Sequence, residues 1–347
     1  MRRRAIVAVN AVLLATAIGL MTSLVVYEAS ALTTAAAGGL SWQTPGPWVD
    51  WRTYADATER MLSGQPIFAA AQLNGPYQLT KVVLIGYAYP PPSAVLFLPF
   101  VSYPFGLAAF LTLNLGLLFT AMWAIITTAW RTYRVPIFAV ALIALALNAP
   151  FEDGLISANV NLGLAGLVGW VAVGLSSPGV VGGIGAIVKV FPGALALTGT
   201  RKVRDLGIAI AVAGGVSLIT LPLVGIGSWT DFVRAMTSAV PDCYPGNDSI
   251  ACTVGPVIGL TNATLLGYGL CLAAGLAMFL VRDRLRLAIL ATIVILAPTT
   301  NLHPHYWLIV YVVGLAAAGR LSLRLRALQV AQTSPSLPTS GETPRLH

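Results

Sequence analysis

Charge is what this chain has least of: Asp, Glu, Lys and Arg make up 9% of its 347 residues, against 57% hydrophobic. An ordinary soluble domain carries about 25% charged residues, so that class is excluded. The net charge of +8 would suggest a nucleic-acid partner in a soluble protein. Here the basic residues sit in short loops between apolar runs, the positive-inside pattern, and no basic patch with interleaved aromatics remains, so nucleic acid is excluded too. A Gly-rich phosphate loop and a D-x-D-type metal motif are both missing, which argues against nucleotide-style phosphate binding. His303 and His305 form an H-x-H pair with no third ligand at a sensible spacing, so no metal site and no cofactor is expected. Lysine is confined to Lys81, Lys189 and Lys202.

What is present is a series of apolar runs of about 18 residues or more along the whole length, which predicts an all-α, polytopic transmembrane helical bundle. Arg2-Arg3-Arg4 before the run 5–26 reads as a retained signal anchor, with cleavage near Ala35 to Gly39 as the alternative. Residues 42–92 then form a large first extracytoplasmic loop. Walking back from the other end, Arg320, Arg324 and Arg326 lie inside, 306–319 crosses, and His303 and His305 sit at its outer end. Arg282, Arg284 and Arg286 are inside again, 260–281 crosses, 228–258 is outside, and Arg201, Lys202 and Arg204 are inside. Arg131 and Arg134 read as inside, 135–149 leads out to Glu152 and Asp153, and 162–175 returns. Residues 179–200 begin and end on the inner side, so they predict a hairpin or broken helices with Lys189 near the apex. The count is about eight full crossings, or 8–12 membrane segments with broken and re-entrant ones included. Residues 1–326 form the membrane domain, and the Ser, Thr and Pro-rich 327–347 is expected to be a disordered cytoplasmic tail.

A polar, aromatic-rich loop as long as 42–92 exceeds the usual connection length and points to function. The topology brings Asp50, the Tyr89-Pro90-Pro91 segment, Glu152, Asp153, Asn159, Asn161, His303 and His305 to the outer leaflet, and ionisable groups at membrane depth are costly to keep. Asp50 has two readings, a helix N-cap or a catalytic base. The histidines are interfacial side chains, or they bind an anion or move a proton. Lys189 in a broken apolar hairpin requires an anionic partner. Cys243 and Cys252 in the outer loop read as a disulfide, with two free thiols as the alternative, and Cys271 as a buried small hydrophobe.

Asp50-x-x-x-Tyr54 with Leu62-x-Gly64, followed by Tyr89-Pro90-Pro91-x-x-Ala94, resembles the first-loop signature of the polyprenyl-phosphate-dependent glycosyltransferases of family 87, which have the GT-C fold. The likeness continues at Asn159-x-Asn161, where the family often has Gly-Gln-x-Asn and this chain departs with Ser157-Ala158-Asn159. It returns at Lys189-x-x-Pro192, at Gly246-Asn247-Asp248-Ser249-Ile250, and at Ala297-Pro298-x-x-x-x-His303-x-His305-Tyr306, with a further departure at 299–301.

The resemblance implies an inverting transfer of a sugar, mannose in the first instance, from a polyprenyl-phosphate donor to a glycolipid or cell-envelope glycan such as a phosphatidylinositol mannoside. Asp50 would be the base, Lys189, His303, His305 and Arg52 the cations for the donor phosphate, and Tyr54, Tyr89, Glu152, Asp153, Asn159, Asn161 and Asn247 substrate contacts. It places the enzyme in the plasma (inner) membrane as a multi-pass protein with its site on the extracytoplasmic side. Arabinofuranosyl transfer is the alternative within the fold. Outside it, the competing class is a secondary transporter or lipid flippase, which broken helices around a buried lysine also suit; such proteins show repeat-related interruptions, and no convincing internal repeat is present.

Overall fold

The computed structural model describes residues 2–37, 48–78 and 86–333. The beginning of the 42–92 loop, its stretch 79–85, part of the cleavage alternative at 35–39 and residues 334–347 of the tail lie outside the described residues. The described chain is helical: α1 (Arg2–Ala37), α2 (Val49–Leu62), α3 (Ala70–Leu73), α4 (Pro92–Leu96) and α5 (Phe105–Ala129) lead to α6 (Arg134–Ala146) and α7 (Ala149–Ser157), bent by 69° from each other. Then follow α8 (Asn161–Val173), α9 (Pro178–Val188), a 3-10 segment (Phe191–Thr198), α10 (Lys202–Val224), α11 (Gly227–Ser238), α12 (Ile250–Ile258), α13 (Leu260–Leu280), α14 (Arg284–Leu296) and α15 (Trp307–Thr333). The strands among the described residues are β1 (Tyr77–Gln78) and β2 (Ala239–Val240), a two-residue parallel pair that ties the first loop to the segment after α11.

Five of these helices, α1, α5, α10, α13 and α15, are long and apolar enough to cross a membrane, and the bent pair α6–α7 would make a sixth. The eight full crossings expected from hydropathy therefore shrink. The difference lies in α8 and α14, which are apolar but only 13 residues each. At roughly 1.5 Å per residue each rises only about 20 Å, against a hydrocarbon thickness of about 30 Å. α9 and the 3-10 segment form the hairpin predicted over 179–200. A 3-10 helix rises roughly 2 Å per residue, so the shorter count of the second arm is offset by its steeper rise. The two arms thus match in length and return the chain to its starting level. They lie in contact because a Cβ on Gly182 would strike Ala196 and one on Gly185 would strike Pro192. Lys189 stands at the turn.

The two ends of the bundle differ. At one end Arg320, far along α15, pairs with Asp283 before α14 and holds that carboxyl down to about 2. At the other, α7, α8 and the start of α15 meet the first loop. That loop has its own apolar core, in which Trp51, Tyr54, Phe68, Tyr87, Tyr89, Phe97 and Phe110 are buried together. Phe97 is its hub, with ring centroids 5.1 Å from Tyr54 and 5.2 Å from Phe110. α15 continues to Thr333, so the first part of the segment expected to be a disordered tail is helical.

Candidate functional site

α2 opens without a side-chain cap: Trp48 takes the left-handed conformation (φ 60°), and its N–H donates to the Ile156 carbonyl near the end of α7. Asp50 stands in the first turn of α2, half-buried, and its Oδ2 accepts a hydrogen bond of 2.7 Å from Asn159 Nδ2. Of the two sequence readings of Asp50, the N-cap is not the one adopted. Asn159 follows α7 through Ala158, which holds a left-handed φ of 50°. Asn159 Oδ1 then accepts from the Asn161 N–H at 2.8 Å, and Asn161 Oδ1 accepts from Lys189 Nζ at 3.1 Å. A second N–H of Lys189 donates to the Tyr306 hydroxyl at 2.8 Å, with Nζ 4.3 Å from the Tyr306 ring centre and 5.4 Å from that of Tyr89. Tyr54 donates to the Tyr89 hydroxyl at 2.9 Å. Burial first, and then neighbouring negative charge that includes Asp50, hold both these phenols well above their usual pKa, so they remain protonated hydrogen-bonding groups.

The histidines occupy the approach to α15. Although Pro304 separates them, their rings stack with centroids 5.4 Å apart and planes 12° apart. His305 is buried, with Nδ1 2.6 Å from Asp153 Oδ2 and its backbone N–H 3.2 Å from the same oxygen. Asp153 therefore orients His305 and fixes the proton on Nδ1. His305 Nε2 and Asn161 Nδ2 are both buried with no partner among the described residues. His303 lies against the Tyr244 hydroxyl, 2.8 Å from Nδ1. Burial, and next the neighbouring His305, lower the pKa of His303, so without a bound anion it is uncharged near neutral pH.

Other expected residues fall elsewhere. Glu152 is exposed on α7 and forms no side-chain hydrogen bond or ion pair among the described residues, whereas its neighbour Asp153 is bound to His305. The amide of Asn247 is fully engaged: Nδ2 donates to Asp242 O, Thr300 O and Asn301 Oδ1, and Oδ1 accepts from Ser249 and Leu302 N–H. It clamps the outer loop to the 300–302 turn, a positioning role. Arg52 is buried on α2, two residues beyond Asp50, where desolvation lowers its pKa. Cys243 and Cys252 are joined in a disulfide, and Cys271 is half-buried on α13. No group of three or more His, Cys, Asp or Glu side chains converges as a metal site among the described residues.

Three residues at the site were not singled out from sequence. Tyr306 was signalled by its place after His305 in the C-terminal motif. Tyr244 had no spacing to mark it. Asn114, inside the apolar α5, donates to Phe110 O and accepts from the Gly163 N–H, so that Asn114 and Asn159 together satisfy buried N-terminal donors of α8. A lone Asn in an apolar run was its only mark.

The sequence model of glycosyltransferase family 87 matches residues 87–300 of the chain. None of the curated proteins or solved structures compared with it matches. The matched range contains Tyr89, Asp153, Asn159, Asn161, Lys189 and Asn247, while Asp50, His303 and His305 lie outside it; Asp50 and His305 join it through the hydrogen bonds just described.

Proposed function

The chain belongs to glycosyltransferase family 87, and from this we propose that it moves a sugar, mannose, from a polyprenyl-phosphate donor to a hydroxyl of a glycolipid or cell-envelope glycan such as a phosphatidylinositol mannoside, on the extracytoplasmic side of the plasma membrane. The acceptor oxygen attacks the anomeric carbon, the bond from that carbon to the phosphate oxygen breaks with its electron pair leaving on the polyprenyl phosphate, and the acceptor proton passes to Asp50. The one-step displacement inverts the anomeric centre.

The observation that carries this reading is the setting of Lys189. Its ammonium is half-buried at the tip of the hairpin with only neutral hydrogen-bond partners, Asn161 and Tyr306, and an ammonium so placed without a carboxylate calls for an anion from outside the protein. A departing phosphate supplies that charge, and its stabilisation as it develops is where such a cation acts. An open donor fits the same anion: Asn161 Nδ2 is buried without a partner among the described residues, as is His305 Nε2. The Asn159–Asn161 pair keeps Asp50 and Lys189 at a fixed separation across this space, with Asp50 Oδ1 left for the acceptor.

Membranes carrying the protein, given radiolabelled polyprenyl-phosphate mannose, should form a labelled glycolipid on thin-layer analysis. The product should be absent with Lys189→Met, which keeps the length of the side chain without its charge. A wild-type protein that labels nothing from mannose but does from the arabinofuranose donor would move the sugar assignment; labelling undiminished in Lys189→Met would remove the phosphate role.

A further inference from the structure

The end of the molecule away from Lys189 holds a second charged site that the transfer reaction does not use. The first turn of α10 and the end of α13 border an open cleft of about 690 Å³, lined by Arg201, Lys202, Arg204 and Arg282 together with Val203 and Phe279. None of the lining side chains is acidic. The carboxylates nearest in sequence are committed elsewhere: Asp205 is buried against Gly199, and Asp283 caps α14 and pairs with Arg320. Arg282 also lines a neighbouring cavity of about 380 Å³ beside Arg284 and Arg320. Four cations line one cleft, and no lining side chain supplies a counter-charge.

The rest of the cleft is membrane surface. Val203, Phe279 and Leu280 are 84%, 51% and 86% exposed, and they stand at the ends of two helices, α10 and α13, that are apolar enough to cross a bilayer. The cations thus lie at headgroup level with apolar walls running on into the lipid. Inorganic phosphate would use the cations alone; a phospholipid uses both. We propose that this cleft binds the phosphate headgroup of an anionic phospholipid from the leaflet opposite the candidate active site, with the acyl chains along α10 and α13. The 3-10 segment that descends from Lys189 ends at Thr198, beside the cleft, and packs on α9, α10, α13 and α14. A lipid seated there braces the foot of the hairpin whose tip is Lys189.

Native mass spectrometry of the purified full-length protein tests this, with phosphatidylglycerol, phosphatidylcholine and inorganic phosphate as probes. Phosphatidylglycerol should be retained in preference to phosphatidylcholine and should raise the melting temperature. At about fivefold per cation near a membrane surface, R201Q/R204Q/R282Q should weaken retention on the order of a hundredfold. The control R324Q/R326Q removes exposed charge on the same face outside the cleft, and should bind as the wild type does. Three outcomes overturn the proposal: equal retention of phosphatidylcholine, an equal loss in the control, which would mean a diffuse field, or displacement of the lipid by millimolar phosphate, which would assign the cleft to the free anion. The preference of the wild-type protein between the two lipids needs no variant, so a triple variant that fails to fold leaves the proposal testable.

Discussion

Asp50 is tied to the protein through one carboxylate oxygen, the 2.7 Å bond from Asn159, and it caps nothing. Asp50→Asn keeps the shape and an oxygen for Asn159 but cannot take a proton. Turnover should fall by on the order of 10²–10⁴ while the protein elutes and melts as the wild type does; near-normal turnover would pass the role of base to the Asp153–His305 pair. His303 gives a prediction of the opposite kind, about pH. Its folded-state pKa lies below the ordinary value of about 6.5, so as pH drops beneath that value the unfolded chain binds the proton first and stability is lost. Thermal unfolding should therefore move to lower temperature from pH 7 towards 5, and His303→Gln should flatten that dependence; an unchanged slope would show that another group dominates. Residue types at membrane depth were legible from sequence because charge there is rare enough to be informative, which is how Asp50 and Lys189 stood out. The number of hydrogen bonds a side chain has already made was not legible. That is why neither the saturated amide of Asn247 nor the bond of Asp153 to His305 could be foreseen.

At the scale of elements, the site depends on helices that stop halfway. α8 begins, and α9 ends, inside the bundle, and a helix end buried there must have its free donors met by side chains. Asn114 is the partner for the Gly163 N–H, and Asn159 for that of Asn161. Asn114→Leu leaves the Gly163 donor buried and unpaired, at a cost of about 1–3 kcal/mol, which a lowered melting temperature in detergent would register. Because α8 carries Asn161 to Lys189, activity should fall with it. A melting temperature equal to wild type would show that water or a shifted turn replaces the amide. Hydropathy made the apolar runs plain, but a run as short as α8 or α9 has the same composition whether it crosses, half-crosses or turns back. The hairpin over 179–200 was read from its charges and glycines, and close contacts at Gly182 and Gly185 hold its arms together, whereas the 13-residue runs of α8 and α14 were counted as crossings.

Taken as a whole, the molecule is polar at both ends in different ways: a cleft lined by cations at one, a network of carboxylates, asparagines and histidines around Lys189 at the other. The proposed function takes the acceptor from the outer face and so requires the second end outside; the positive-inside rule, which uses only loop charge, predicts the arginine-rich end inside. A test must use positions whose side chains are exposed: Pro245 and Asn74 are, whereas Gln72 is buried with its amide bonded to Tyr77 and the Tyr87 carbonyl. Single cysteines at Asn74 and Pro245 should react with a membrane-impermeant maleimide in intact cells, against a low background because Cys243 and Cys252 are bridged and Cys271 lies half-buried in α13. A cysteine at Arg326, on the exposed last turns of α15, should react only after the cells are opened. Labelling of Arg326→Cys in intact cells with protection of Asn74→Cys would invert the molecule. The donor phosphate would then have to be met from the cytoplasmic leaflet, and the extracytoplasmic transfer would fall while the chemistry at Asp50 and Lys189 stood.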